Sequence, residues 1–162
     1  MSRKNNMKAQ HGFTLVELVI VVAIIGIVLT MVTLNFRQMN EKTRVESYTN
    51  EIYSILMKAR NDASRTNVSG LVVFAANQVS SGASTTANYP RFTINCGLPL
   101  PAPCAAGAND VTFDRRGLAN VSNQTISITG YSADVSPVKD CIVIAPTRIN
   151  VGKMTGGACV QR

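Results

Sequence analysis

The sequence predicts an α+β fold in which one long N-terminal helix packs on an antiparallel sheet. Two observations support this class. No proline interrupts residues 13–67, and their apolar residues recur at helical spacing. Residues 68–162 instead form short alternating or apolar runs between turn-rich segments, as antiparallel strands do. Neither part could bury its apolar surface alone, so we expect the helix to cover one face of the sheet.

The first half of the predicted helix is apolar enough to span a membrane. From Leu18 to Phe36, 19 consecutive residues carry no charge, and roughly 20 apolar residues span a bilayer. Arg3, Lys4 and Lys8 precede this run, and no acid occurs among the first twelve residues, which places the N-terminal end in the cytoplasm. A cleaved secretory signal is the alternative. We favour a retained span because signal cores are shorter, about 7–15 residues, and no small-residue cleavage site follows here.

The second half, residues 37–67, has the pattern of an amphipathic helix. Its apolar residues follow one another mainly in steps of three and four, which places them on one face. These residues are Val45, Tyr48, Ile52, Ile55, Leu56, Ala59 and Ala63. One continuous helix is the simplest interpretation, and two helices with a hinge near Asn35 are the alternative.

Six later runs have the composition of strands. They cover residues 70–76, 91–96, 110–114, 124–131, 141–145 and 148–154. Residues 77–90 are rich in Ser, Thr, Ala and Asn, and residues 97–110 are rich in Pro and Gly, so both are predicted loops. Residues 115–117 resemble a hairpin turn.

The four cysteines indicate disulfides rather than a metal site. Their positions contain no C-x-x-C pair, and an even count is typical of disulfide bonds in an exported protein. Three pairings are possible. We favour Cys96–Cys104 and Cys141–Cys159 because each closes a local loop.

Charge and residue content argue against an enzyme or an obvious nucleic-acid-binding protein. The net charge of +7 falls to about +4 after residue 12, as 13 basic residues face 9 acidic ones. His11 is the only histidine, so Ser-His and Cys-His catalysis are excluded downstream of it. Two aspartate pairs, Asp110 with Asp114 and Asp134 with Asp140, could serve as paired carboxylates or bind calcium. Each pair lies among turn residues, where Asp commonly bonds the local backbone. We expect no catalysis, metal or cofactor.

Glu17 is the unusual residue of the N-terminal segment, because a lone acid at the head of an apolar run is costly. The segment around it, "GFTLVEL" from Gly12 to Leu18 after a short basic leader, resembles the processing site of type IV prepilins and type II secretion pseudopilins. The resemblance implies that a prepilin peptidase cuts after Gly12 on the cytoplasmic face of the inner membrane and N-methylates Phe13. It covers about the first third of the chain.

In that family the glutamate has an implied role in assembly. Cleavage gives Phe13 a positive α-amino group. The negative charge of Glu17 can offset the positive α-amino group of a neighbouring subunit. Such a pair in a low-dielectric setting costs far less than either charge alone. The alternative is a glutamate solvated by lipid headgroups. The implied partners are other pilin or pseudopilin subunits, the peptidase and the inner membrane, and the implied final location is a periplasmic or cell-surface filament.

Within this group, "LMKARNDASRTNVSGLVVF" and "VTFDRRGLA" look most like the GspH/FimT minor pilins and pseudopilins. The absence of the proline that many major pilins carry in the apolar helix also favours a minor subunit, with a major pilin as an alternative. Some FimT-like proteins bind DNA through C-terminal basic residues, although the Gly-Arg-x-Arg segment of the family is replaced here by "TRINVGKM". The candidates for such binding are Arg148, Lys153 and Arg162, with Arg115 and Arg116 on another loop.

These inferences divide the chain into four segments. Residues 1–12 are a cleaved leader, and 13–36 form a transmembrane and filament-core helix. Residues 37–67 form the amphipathic helix, and 68–162 form a periplasmic or extracellular β domain with disulfides.

Overall fold

The computed structural model describes residues 13–82, 85–97 and 102–161, without the side chains of residues 31–35 and 85. The chain contains two compact units, Met1–Arg37 and Gln38–Arg162. One helix, α1, spans Leu15–Thr66. Its backbone is helical across Asn35, as the prediction of a single element requires. The helix ends where Asn67 adopts a left-handed conformation with φ of 56°, a common way to end a helix.

The strands follow α1 in the second unit. Their bounds are β1 Gly70–Ala75, β2 Gln78–Ser81, β3 Thr85–Asn88, β4 Thr93–Cys96, β5 Ala102–Pro103, β6 Val111–Phe113, β7 Gln124–Thr129, β8 Cys141–Ile144, β9 Ile149–Thr155 and β10 Ala158–Gln161. All six strands predicted from the sequence are present as β1, β4, β6, β7, β8 and β9. Every strand pair is antiparallel, so the pilin-like α+β class is confirmed.

The strands form two sheets rather than the single sheet that we expected. One has the order β3-β2-β1-β6, and the other has the order β10-β9-β8-β7-β4-β5. The chain leaves the first sheet after β3, enters the second with β4 and β5, and returns to the first with β6. Strand patterns identify strands but not their partners, because pairing over long separations depends on which apolar faces meet in the folded domain.

The prediction of a loop over residues 77–90 was wrong. The segment contains β2 and β3, which pair in the register Val79↔Ala87 and Ser80↔Thr86. Val79 and Ala87 are buried, whereas most of the other side chains in the two strands are polar and less covered. Backbone pairing of β2 with β1, and of β3 with β2, stabilises these strands, so a weak apolar pattern is sufficient.

The predicted amphipathic face of α1 is confirmed. Val45, Ile52 and Leu56 have no exposed surface, and they contribute to one core with large apolar side chains of both sheets. These include Phe74, Tyr89, Ile94, Phe113, Ile126, Ile142 and Ile144. Where β1 begins, Gly70 lies so close to the helix that an added Cβ would stand 3.0 Å from the Ala59 carbonyl oxygen. The glycine therefore permits the close approach of the first sheet to α1.

Candidate functional site

The N-terminal end of α1 is built by a helix cap. The Glu17 N–H donates to the Thr14 hydroxyl oxygen at 3.2 Å, and the Leu18 N–H donates to the Thr14 carbonyl at 3.2 Å. Thr14 is therefore the N-cap residue, and Glu17 occupies the third helical position. Thr followed by Glu three residues later is the sequence signature of a capping box. The sequence analysis missed this role, although the Thr-Leu-Val-Glu spacing carried the signal.

Glu17 is favoured electrostatically at this position. It lies in the first turn of the helix, where the partial positive charge of the helix N-terminus stabilises an acid. Its side chain is exposed, and no donor or cation among the described residues contacts the carboxylate. Within the part of the chain described here, the carboxylate is therefore free to pair with a cationic group of another molecule.

The helix that follows is apolar around its whole circumference. The exposed fraction is 80% for Phe13 and at least 46% for every large apolar side chain that follows up to Leu29. A helix that is apolar all round normally lies inside a larger protein or a membrane. The exposed set is Phe13, Leu15, Val16, Leu18, Val19, Ile20, Val21, Val22, Ile24, Ile25, Ile27, Val28 and Leu29. No helix among the described residues combines the length and the apolarity that crossing a membrane requires.

Phe13 and Thr14 precede the helix in non-helical backbone. The Phe13 side chain is exposed. The leader and Gly12, predicted as the other side of the cleavage point, lie outside the described residues.

The two predicted disulfides are confirmed. Cys96 at the end of β4 is bonded to Cys104, eight residues later. Cys141 on β8 is bonded to Cys159 on β10, and β9 lies between these two strands. The second bond thus ties the edge strand of the second sheet to its interior.

The basic residues proposed for DNA binding do not form one group. Arg115 and Arg116 lie in a turn in which the Asp114 carboxylate accepts the N–H groups of Arg116 and Leu118, each at 2.8 Å. This turn carries the predicted hairpin residues 115–117. The residues that follow this turn contact the turn that carries Arg148. The Ala119 N–H donates a hydrogen bond to the Pro146 carbonyl oxygen at 3.0 Å.

Of the remaining basic candidates, Lys153 lies apart from these two turns and Arg162 lies outside the residues that the structure describes. The Lys153 ammonium donates to the Ser136 hydroxyl at 2.6 Å, and Lys153 is five residues from Arg148, about 16 Å along an extended strand. Arg60, which the sequence analysis missed, approaches the turn at Gly117, where an added Cβ would stand 3.2 Å from the Arg60 Cγ.

The aspartate pairs have structural roles wherever their contacts are seen. Asp114 organises its own turn, as expected of a turn aspartate. Asp140 is 2% exposed, and it accepts the Tyr131 hydroxyl at 2.8 Å and the Met154 N–H at 2.6 Å. Burial, followed by the Asp140 hydrogen bond, raises the pKa of Tyr131. Over the described ranges, no three His, Cys, Asp or Glu residues are grouped to hold a metal.

Three residues of α1 fasten the segment between β7 and β8. The Glu46 carboxylate accepts the Val138 N–H at 2.8 Å, and the Thr49 hydroxyl donates to the Lys139 carbonyl at 3.3 Å. The Glu41 carboxylate accepts the Ser132 N–H at 3.3 Å. The sequence analysis missed these contacts, because helical spacing does not reveal a loop that returns to the helix.

An open cleft of about 510 Å³ lies beside α1 and the second sheet. It is lined by Asn50, Tyr53, Lys139, Ile149, Asn150, Val151 and Gln161. Nothing in the spacing of these residues indicated that they would meet.

Comparison with known proteins identifies the N-terminal segment. Residues 7–33 match the family described as the prokaryotic N-terminal methylation motif. The chain is therefore a pilin-like α+β protein with a type IV prepilin-like N-terminus, and the motif implies processing by prepilin peptidase and a membrane-anchored N-terminal helix. The match ends at Thr33, so it does not reach the segments that look like GspH/FimT. No solved structure matches this chain.

Proposed function

We propose that the chain is a structural subunit, of the minor type, of a type IV pilus or a type II secretion pseudopilus. The observation that carries the proposal is the coincidence of the methylation motif at residues 7–33 with a helix whose large apolar side chains are exposed from Leu15 to Leu29. Such a surface requires a membrane before assembly and neighbouring helices after it. In the proposed sequence of events, the leader is cut after Gly12, Phe13 is N-methylated, and the helices bundle as the subunit leaves the inner membrane.

Glu17 acts in this scheme as the residue that sets the register of assembly. Its carboxylate pairs with the Phe13 α-amino group of a neighbouring subunit, while Thr14 holds the first helical turn in shape. Burying the two charges as a pair is less costly than burying either alone. A subunit docked in another register would leave both charges unpaired in an apolar setting.

Intact-mass spectrometry of the protein from its native host tests the processing step. We expect the loss of residues 1–12 and the gain of one methyl group on Phe13, and we expect substitution of Gly12 to abolish both changes. An uncleaved N-terminus, or a cut beyond Val32, would overturn the proposal.

A pair of variants separates the charge of Glu17 from the cap. Glu17→Gln keeps the size and the N–H that bonds Thr14, but it removes the charge, so we expect processing to continue and incorporation into filaments to fail. Thr14→Ala removes the cap, which is worth about 1 kcal/mol, so it should weaken incorporation less. If the Glu17→Gln subunit entered filaments as well as the unchanged protein, the assembly role of Glu17 would be contradicted.

The minor type and the GspH/FimT likeness are the finer part of the proposal. They rest on the segments quoted above and on the absence of proline from the apolar helix. Quantitative mass spectrometry of purified filaments distinguishes a minor subunit from a major pilin by its abundance. A minor subunit will be present at a few per cent or less of the filament protein, whereas a major pilin will dominate it.

DNA capture is a second candidate function, and one observation favours it. The hydrogen bond from Ala119 to Pro146 brings together the turns that carry Arg115, Arg116 and Arg148. Fluorescence polarisation with a short DNA duplex at several salt concentrations tests this idea. Arg148→Gln should reduce the slope of log affinity against log salt by about 0.9 if that residue neutralises one phosphate. Lys153→Gln, which lies apart from these turns, is the matched comparison, and equal effects would contradict a shared surface.

A further inference from the structure

The turn at residues 115–117 lies directly on the C-terminal part of α1. Gly117 is buried, although the two residues before it are exposed. A Cβ added to Gly117 would stand 2.6 Å from the Ser64 hydroxyl oxygen and 3.2 Å from the Arg60 Cγ. The φ of Gly117, 75°, is also one that glycine adopts most readily. The glycine therefore allows the turn to pack against two side chains of the helix.

Hydrogen bonds within the turn make it a compact piece. Besides the two N–H groups that its carboxylate accepts, Asp114 accepts the Gly117 N–H at its carbonyl oxygen and donates its own N–H to the Leu118 carbonyl, both at 2.8 Å. An aspartate that bonds its own turn in this way fixes the shape of the turn. The contact of Gly117 with α1 therefore sets where Arg115 and Arg116 lie.

Arg60 brings a third guanidinium group to this turn. Its Nε lies 3.5 Å from the position of the same added Cβ, and its side chain is partly exposed. Among the described residues, no carboxylate forms an ion pair with Arg60, Arg115 or Arg116, and the residues outside the description contain no Asp or Glu. Arg65, further along α1, differs because it pairs with Asp62 at 3.6 Å. The three guanidinium groups around the turn are thus without an acidic partner.

The positive charge of the chain is concentrated around this turn. The three segments that meet here, residues 60–66, 114–120 and 145–149, carry five arginines and two aspartates. Residues 13–162 as a whole contain 13 basic and nine acidic residues, so three of their four excess positive charges lie in these segments. Like charges held close together repel one another and lower the stability of the folded unit. The arrangement therefore favours the binding of an anionic partner.

We propose that α1 forms part of the surface that binds DNA. Arg60 is a positioning residue that supports the turn through its aliphatic stem, and its guanidinium group joins those of Arg115, Arg116 and Arg148 as a fourth group that contacts phosphate oxygens. A guanidinium group suits this role because two of its N–H groups can bond to one phosphate. The inference rests on DNA capture, the second candidate function, and it names the helix as the element that sets the geometry of the binding surface.

Fluorescence polarisation of a short DNA duplex tests the charge of Arg60, with the full chain in a nonionic detergent at several salt concentrations. Arg60→Met keeps most of the aliphatic stem but removes the charge, so the slope of log affinity against log salt should fall by about 0.9. Arg60→Lys should keep the slope of the unchanged chain. Arg65→Met is the matched control, because Arg65 is already paired with Asp62. Equal slopes for Arg60→Met and Arg65→Met would overturn the role of Arg60.

Gly117→Ala tests the positioning of the turn, because it keeps every charge. The added Cβ would collide with the Ser64 hydroxyl and push the turn away from α1. The slope should therefore fall by about 0.9–1.8, the loss of one or both phosphate contacts of Arg115 and Arg116. Gly156→Ala is the matched control and should leave the slope unchanged, because Gly156 has a similar φ of 59° and no atom of the described residues lies within 4 Å of its added Cβ.

The outcomes separate this inference from DNA capture itself. The near-ultraviolet circular dichroism of the tyrosines reports whether each variant is folded, and the Arg60 variants decide the question if Gly117→Ala is not. If the unchanged chain binds the duplex, and Arg60→Met and Gly117→Ala bind it with the same slope, the inference is wrong while DNA capture stands. If the unchanged chain does not bind the duplex, DNA capture and the inference both fail.

Discussion

Removal of the Asp140 carboxylate should strongly destabilise the second compact unit. Asp140 is buried, and it accepts one hydrogen bond from the Tyr131 hydroxyl and one from the Met154 N–H. A hydrogen bond to a charged group contributes about 1.5–3 kcal/mol. Because water can replace part of the bond to the partly exposed Tyr131, we expect Asp140→Ala to lower the free energy of unfolding by about 3–5 kcal/mol.

Conservative variants resolve the individual contributions. Asp140→Asn keeps one acceptor oxygen and turns the other into a donor, so it should cost about 2 kcal/mol. Tyr131→Phe removes only the hydroxyl and should cost a similar amount. Asp134→Ala, an exposed aspartate of the same segment, is the matched control and should change stability by less than about 0.5 kcal/mol.

Guanidinium-induced unfolding of the full chain in a nonionic detergent, followed by the near-ultraviolet circular dichroism of the tyrosines, measures these differences. For a unit of this size, the loss for Asp140→Ala corresponds to a fall of roughly 10–15 °C in Tm. If Asp140→Ala and Asp134→Ala unfolded at the same denaturant concentration, the assignment of Asp140 as a buried structural acceptor would be refuted.

Three further results are expected from the same unfolding measurements. Gly152→Ala should destabilise the sheet by about 2 kcal/mol or more, because an added Cβ would collide with the Val160 carbonyl oxygen; unchanged stability would mean that β10 can move away freely. Replacing both Cys141 and Cys159 with serine should cost about 3 kcal/mol, the loop-closure value for a separation of 18 residues, and a cost near zero would refute a structural role for the bond. Since the pKa of Tyr131 is raised above its ordinary value of 10.0 by burial and the Asp140 bond, its contribution is fully present below pH 10 and is lost as pH rises further. Tyr131→Phe should therefore lose less stability than the parent chain between pH 9 and pH 11, and parallel pH profiles would contradict this cause.

The local sequence was sufficient to predict the features that depend on neighbouring residues. The spacing of Val45, Ile52 and Leu56 predicted the buried helix face, since a 3.6-residue period places them together in any fold. The strand patterns predicted β7, β8 and β9 because a short alternating or apolar run is also a local feature, and loop length alone favoured both disulfide pairings. The Gly12–Leu18 segment indicated a prepilin-like N-terminus, and it lies within the methylation motif matched at residues 7–33.

The tertiary structure decided which distant segments meet. Within the Ser- and Thr-rich residues 77–90, β2 forms on the edge of β1 and β3 forms on the edge of β2. Asp140 became a buried acceptor because β9 and Tyr131 close over it. A pattern along the chain reports how one residue is placed relative to its neighbours, whereas these features depend on contacts between residues far apart in sequence, and those contacts form only when the helix and the two sheets share one core.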